Sequence, residues 1–171
     1  MNPNWSKYFS DEKIIAVDPG KAGGIAIFSK TRNELIEVEP MPETPQDLLN
    51  FFTKYQNNSV CYLERVQGIP GMAASAMFNF GQGFGQLEMA LLCRNIPTIE
   101  ITPQKWQKEL QLGVKGNNTT NEWKTKLKAR AQQIYPKVEK EFSIKNKTMW
   151  LKVSDALLIL EYARRMEGDK R

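Results

Sequence analysis

The chain has 171 residues, room for one domain of ordinary size, and carries 24 Lys and Arg against 19 Asp and Glu, a net charge of +5. Its 41% hydrophobic and 25% charged residues are close to average globular usage, which excludes global disorder. Histidine is absent, so Ser-His-Asp and Cys-His nucleophile systems, imidazole bases and His-ligated metal sites are excluded, and any catalysis must run on carboxylates, lysines or hydroxyls.

In chain order, MNPNWSKYFSDEK lacks the apolar stretch of a secretion signal, and residues 1–12 read as an N-terminal extension. No segment approaches the roughly 18 apolar residues of a membrane span, so a cytoplasmic protein without a membrane partner is expected. Residues 14–18, IIAVD, form an apolar run ending in an acid, and the turn PGKAGG leads into IAIFSK at 25–30. TRNE turns the chain again, and LIEVEP alternates apolar and polar residues, which makes three antiparallel strands in a row. Thr44 as N-cap with Pro45 at the first helical position starts a helix running to about Gln56. VCYLER at 60–65 is a buried strand that also ends beside an acid.

A stretch rich in Gly, Ala and Met follows and leads into a helix over about Gly81 to Asn95. TIEIT at 98–102 is a fifth strand, and PQKWQKEL starts a helix behind Thr102. Residues 111–120 and 137–149 read as basic loops on either side of the helix EWKTKLKARAQQIY, which Pro136 stops, and a last helix covers roughly 150–166. The order of elements describes one α/β layer domain, 1–171, with a mixed sheet covered by helices. Cys61 and Cys93, outside any CxxC pairing, support neither a zinc site nor a disulfide framework, so buried free thiols are expected.

Charge is uneven along the chain. From Gln104 to Lys152 there are twelve Lys and Arg against four Glu, a local charge of +8 that leaves −3 for the remainder. Such a segment is either a solvated surface or a polyanion-binding face, because lysine and arginine contacts to phosphate supply most non-specific nucleic-acid affinity. Trp106, Trp123 and Trp150 lie among these lysines and serve either as core or as stacking platforms for bases.

Three acids occupy awkward places: Asp18 and Glu64 each close an apolar strand, and Asp155 interrupts the apolar start of the last helix. Each has an ordinary use when taken alone, Asp18 as a turn acid before Pro-Gly, Glu64 as a partner of Arg65 or Lys21, and Asp155 as an N-cap. If the two strands are neighbours and the last helix packs across their ends, the three converge. Carboxylates gathered in one place repel one another, and a divalent metal is the usual remedy. Two Mg²⁺ ions at such a site would serve phosphodiester hydrolysis without any histidine.

The segments IIAVDPGKAGGIAIF, YLERVQGIPGMAASAMFNFGQGFGQLEMAL, ITPQKWQKEL with NEWKTKLKARAQQIYP, and SDALLILEYARR, taken in order, resemble the phage and bacterial branch of RuvC-like Holliday junction resolvases. The resemblance implies a ribonuclease H-like α/β fold, with a mixed five-stranded sheet whose first three strands are antiparallel and whose flanks are helices. It also implies a homodimer that nicks four-way DNA junctions in pairs with Mg²⁺, or Mn²⁺ in its place, in the host-cell cytoplasm if phage-encoded. Asp18, Glu64 and Asp155 match the family's metal-ligating catalytic acids. Members usually carry a fourth ligand about three residues before the last Asp, and Lys152 stands there instead. It is either a catalytic group contacting the scissile phosphate or a surface lysine beside a water-completed shell.

The family's mobile loop corresponds to residues from Gln67 to about Phe80. It offers Ile69, Met72, Met77, Phe78 and Phe80 as wedges between unpaired bases, although Phe80 is better placed as core. Lys21, Lys105, Lys115, Lys124, Lys128, Lys145, Lys147 and Phe78 are the expected DNA contacts, and the small-residue helix from about Gly81 is the expected two-fold interface. Two rival readings stand beside this one. The first is a structure-selective branched-DNA-binding protein with weak or lost nuclease activity, favoured by Lys152. The second is an actin-like phosphotransferase using DPGKAGG as a phosphate loop, for which 171 residues are too few to form two lobes.

Overall fold

The computed structural model describes residues 11–65, 68 and 71–168. Strand β1 (Lys13–Asp18) turns back through Pro19–Gly23 into β2 (Gly24–Ser29), and β3 (Glu34–Pro40) follows antiparallel to β2. Helix α1 (Pro45–Tyr55) is capped as its sequence requires, with the Thr44 side chain accepting from the Asp47 backbone N–H. Then come β4 (Ser59–Glu64), the long helix α2 (Ala74–Cys93) and β5 (Thr98–Ile101). Four helices finish the chain: α3 (Pro103–Glu109), α4 (Thr120–Ile134), α5 (Val138–Glu141) and α6 (Lys147–Gly168).

The strands form one sheet in the order β3-β2-β1-β4-β5, with β4 parallel to β1 and β5 parallel to β4. The mixed five-stranded sheet with three antiparallel strands first is therefore present. Both faces are covered. Ile14, Ala16, Phe28, Tyr62 and Ile101 pack on one side against α3, α4 and α6, while Ile15, Val17, Ile27, Cys61 and Leu63 pack on the other with residues of α1 and α2. That is why β1 and β2 are nearly continuous apolar runs.

Several boundaries differ from expectation. Helix α2 begins at Ala74, seven residues before Gly81, because Ala74 to Phe80 continue the helix without any side chain that opposes it. Residues expected to be irregular after Pro136 include the single turn α5, which buries Val138, and the first turns of α6. Helix α4 starts inside the basic loop at a capping box. The Thr119 side chain accepts from the Glu122 backbone, and the Glu122 carboxylate accepts from the Thr119 backbone N–H at 2.7 Å. Both cysteines are free, but only Cys61 is buried; Cys93 is exposed at the end of α2, where the helix turns its outer face to solvent. Among the described residues no helix is long and apolar enough to cross a membrane.

One close approach positions everything at the carboxyl end of β1. Gly24 is the ladder partner of Asp18. A Cβ there would lie 2.9 Å from the Lys152 carbonyl oxygen, 2.8 Å from that of Glu39 and 3.2 Å from a Val153 methyl group. Helix α6 therefore crosses the sheet in direct contact with the backbone of β2, one turn before Asp155. Two of those neighbours are backbone oxygens that cannot rotate away. Gly24→Ala is expected to destabilise the fold by about 1–3 kcal/mol, the usual range for overpacking, measurable by chemical denaturation.

Candidate functional site

The alternation of β-strands decides where the acids point. In β1 the residues facing α6 are Ile14 and Ala16, and the next in that series is Asp18; in β4 Tyr62 faces the same side, and the next is Glu64. Parallel pairing of Val17 with Leu63 brings the two strand ends side by side. The carboxyls of Asp18 and Glu64 lie within reach of each other, and Asp155 of α6 lies close enough to repel both. The three acids singled out in the sequence are thus brought to one place by three separate elements.

Burial dominates their electrostatics. Asp18 is only 7% exposed, and burial first, then the charges of Asp155 and Glu64, hold its carboxyl well above the ordinary range. Burial likewise pushes Glu64 up to about 7, assisted by Asp155 and opposed by hydrogen bonds from Trp106 and Asp18. Burial raises Asp155 also, against the pull of Lys124.

Two further side chains complete the site. The Lys124 ammonium is 3.9 Å from Asp155 Oδ2 and lowers all three acids. It reaches them because Trp123, Leu127 and Ala131 form the buried stripe of α4, which leaves Lys124 and Lys128 half-buried on its flank. The Trp106 indole N–H of α3 donates to Glu64 Oε1 at 2.8 Å. Lys124 entered the sequence reading only as a phosphate contact, and Trp106 only as core or a stacking platform. Recognising their site roles needed the spatial neighbour, although the capping box at Thr119–Glu122 was a signal for where α4 begins.

Lys152 lies on α6 one turn before Asp155 and is half-buried, with its carbonyl against Gly24. The cation acting on the acids is Lys124. Lys21, on the turn after Asp18, and Lys105, on α3, are exposed. Lys145 and Lys147 are exposed at the start of α6, and Lys115 is exposed with its ammonium hydrogen-bonded to Thr120 Oγ1 at 2.9 Å. Phe78 is 71% exposed and Met77 is 37% exposed. Phe80 is half-buried: its ring covers the turn after Asp18, where Gly20 has φ +98° and an added Cβ would come within 2.9 Å of the ring. Met72 is half-buried, and Gln67 and Ile69 lie outside the described residues.

Buried oxygen donors of this kind suit a hard divalent cation, which would relieve the repulsion. Among the described residues, however, no group of three acidic or thiol side chains is already arranged to hold a metal ion.

No family model matches the sequence, and no curated protein matches it. Among solved structures, the chain is similar to Thermus thermophilus RuvC in complex with a Holliday junction substrate, with a TM-score of 0.59 and 14% identity, covering 91% of this chain and 96% of that one. A second Thermus thermophilus RuvC structure gives a TM-score of 0.55 at the same identity and coverage. The fold is therefore RuvC-like, of the ribonuclease H-like type.

The protonation pattern fixes how stability depends on pH. Glu64 has an ordinary value of 4.5 and a folded value of about 7, so the folded protein binds more protons between these limits. This contribution is fully present below about pH 4.5 and is lost as the pH rises through 7. Without divalent ions, the melting temperature is expected to fall over that window in calorimetry, and Asp18→Asn, which removes one titrating carboxyl from the cluster, to flatten the decline.

Proposed function

We propose that this protein is a metal-dependent endonuclease for branched DNA that resolves four-way junctions by paired nicks. The observation that carries the reading is that Asp18, Glu64 and Asp155 are buried within electrostatic reach of one another on the side of the sheet facing α6, with Lys124 beside them. The RuvC-like fold supports it, since a solved structure of that fold is a complex with a Holliday junction substrate.

In this reading Asp18, Glu64 and Asp155 are the metal ligands. Bound Mg²⁺, or Mn²⁺, would supply compensation of the acids' charge and Lewis-acid activation of water toward a phosphodiester. The protein residues have distinct tasks. The buried acids would hold the ion in a desolvated place, where electrostatic forces are strong. Lys124, already drawn toward Asp155, contacts a non-bridging phosphate oxygen where negative charge develops. Lys152, in the place of a fourth ligand, adds positive charge on the same face of α6. The reaction is balanced as simple hydrolysis: the water oxygen bonds to phosphorus, the bridging oxygen leaves and takes a proton, and a phosphate monoester and an alcohol remain. Lys21, Lys105, Lys115, Lys128, Lys145 and Lys147 hold the backbone through phosphate contacts, and Phe78 inserts at the junction centre.

Paired nicking needs two active sites related by a two-fold axis, and α2 supplies the face for one. Met89 and Leu92 are 57% and 67% exposed, and Gly81 and Gly85 have nothing within 4 Å of a built Cβ. Steps of three or four residues place these four positions on one side of the helix. Helical glycine costs about 1 kcal/mol relative to alanine, and no packing among the described residues requires it there. Close approach of a second copy of α2 does. Leu92→Glu is expected to halve the mass seen by sedimentation equilibrium and leave the melting temperature of the monomer unchanged.

Cleavage of labelled four-way junction, flap and duplex DNA in Mg²⁺ and Mn²⁺ tests the function. The expected result is junction-selective paired nicking that Asp18→Asn abolishes while junction binding persists. Tight junction binding without cutting in either metal would instead support a binding protein, the reading that Lys152 in the ligand position favours.

A further inference from the structure

We propose that Trp106 is a positioning residue for Glu64, orienting its carboxylate through the indole N–H so that the acid is preset to receive a divalent ion. The inference rests on the metal-site reading above. The last torsion of a glutamate side chain is soft and roughly two-fold, so a carboxylate at a strand end has no fixed plane of its own. Trp106 supplies one. It is 1% exposed, held among the side chains between the sheet and α6, and its Nε1 is 2.8 Å from Glu64 Oε1. A rigid ring in a close-packed core cannot follow the carboxylate, so the carboxylate follows the ring. The group is also donor-only, so it favours the charged, ligand-competent form of Glu64 over the protonated one.

Packing alone does not explain the contact. Trp150 is equally buried at 3% exposure in the same core, and its indole nitrogen has no hydrogen-bond partner among the described residues. The fold therefore tolerates a tryptophan whose N–H is unmet. Phenylalanine at 106 would fill most of the same volume, and the atom it lacks is the one that touches the acid. Trp106 sits in the first turn of α3, behind Thr102 and Pro103 and immediately after β5, the strand paired with β4. The same sheet edge thus carries both partners, and ordering of the β4–β5 pair fixes donor and acceptor together.

The pair Trp106→Phe and Trp150→Phe makes the test, since each deletes one indole N–H and only one of the two reaches an acid. Mn²⁺ binding is measured by electron paramagnetic resonance on wild type and both variants, with junction affinity measured in EDTA and melting temperature alongside. Trp106→Phe is expected to weaken Mn²⁺ binding about tenfold, the low end for removing a hydrogen bond to a metal ligand, with junction affinity unchanged and Trp150→Phe like wild type. Equal Mn²⁺ affinity in all three proteins, or an equal loss in both variants, overturns the positioning role and leaves the nuclease reading intact. Absence of Mn²⁺ binding by the wild type overturns both, and the first titration reveals it.

If Trp106→Phe does not fold, the wild type decides by nitrogen-15 spectra of the assigned indole N–H groups. Mg²⁺ should shift the Trp106 signal and leave that of Trp150 in place. A Trp106 signal that stays still while Mg²⁺ binds overturns the proposal.

Discussion

The architecture depends on one steric allowance, the missing side chain at Gly24. Because nothing projects from that position, α6 lies against the backbone of β2 at Lys152 and Val153, and the next turn carries Asp155 to the end of β1. A helix held one side chain further from the sheet would leave its acid too far from Asp18 to act on it. The buried run from Val153 to Ala163 then packs between the sheet and α4, and that packing in turn fixes α4 and Lys124. A single local contact thus sets the spacing of two elements and of four charged groups.

Those charged groups are strained electrostatically rather than sterically. Three carboxyls are withdrawn from water within reach of one another, and the one ammonium drawn toward them does not balance the set. Burial and mutual repulsion accordingly hold all of these carboxyls toward their neutral forms. Such an arrangement costs stability at neutral pH, and a fold that maintains it has placed destabilised groups where a positively charged ligand would gain most by binding. The contrast with the rest of the molecule is clear: Glu161, flanked by Arg164 and Arg165 at 3.2 and 3.1 Å, is an acid serving ordinary surface pairing.

The two faces of the sheet have different roles. Every described group at the acid cluster comes from the strand ends or from α3, α4 and α6, and the lysine-rich segment lies along those same helices. The opposite face, through α1 and α2, contributes packing, with Phe80 reaching over to cover the Gly20 turn. Helix α2 is apolar nearly all round but buries only Leu87, Ala90 and Leu91, so much of its hydrophobic surface has no partner among the described residues.

Element order, the mixed sheet and the identity of the three acids are legible in local patterns: apolar runs closed by an acid, Thr-Pro at a helix start, Gly-rich turns. The convergence of Asp18 and Glu64 was legible too once the two strands are neighbours, since alternation leaves Asp18, two residues after Ala16, and Glu64, two residues after Tyr62, facing the same side. Early helix starts at Ala74 and Lys147 were not legible, because small and polar residues carry little periodic signal. Nor was the division of labour among the cations: spacing along α6 singled out Lys152, whereas the ammonium at the acids comes from Lys124 on another helix. The indole at Glu64 was equally hidden, 42 residues away along the chain. Contacts between elements are decided by how closely helices approach the sheet, and that distance is set by tertiary packing at positions such as Gly24, not by any local run of residues.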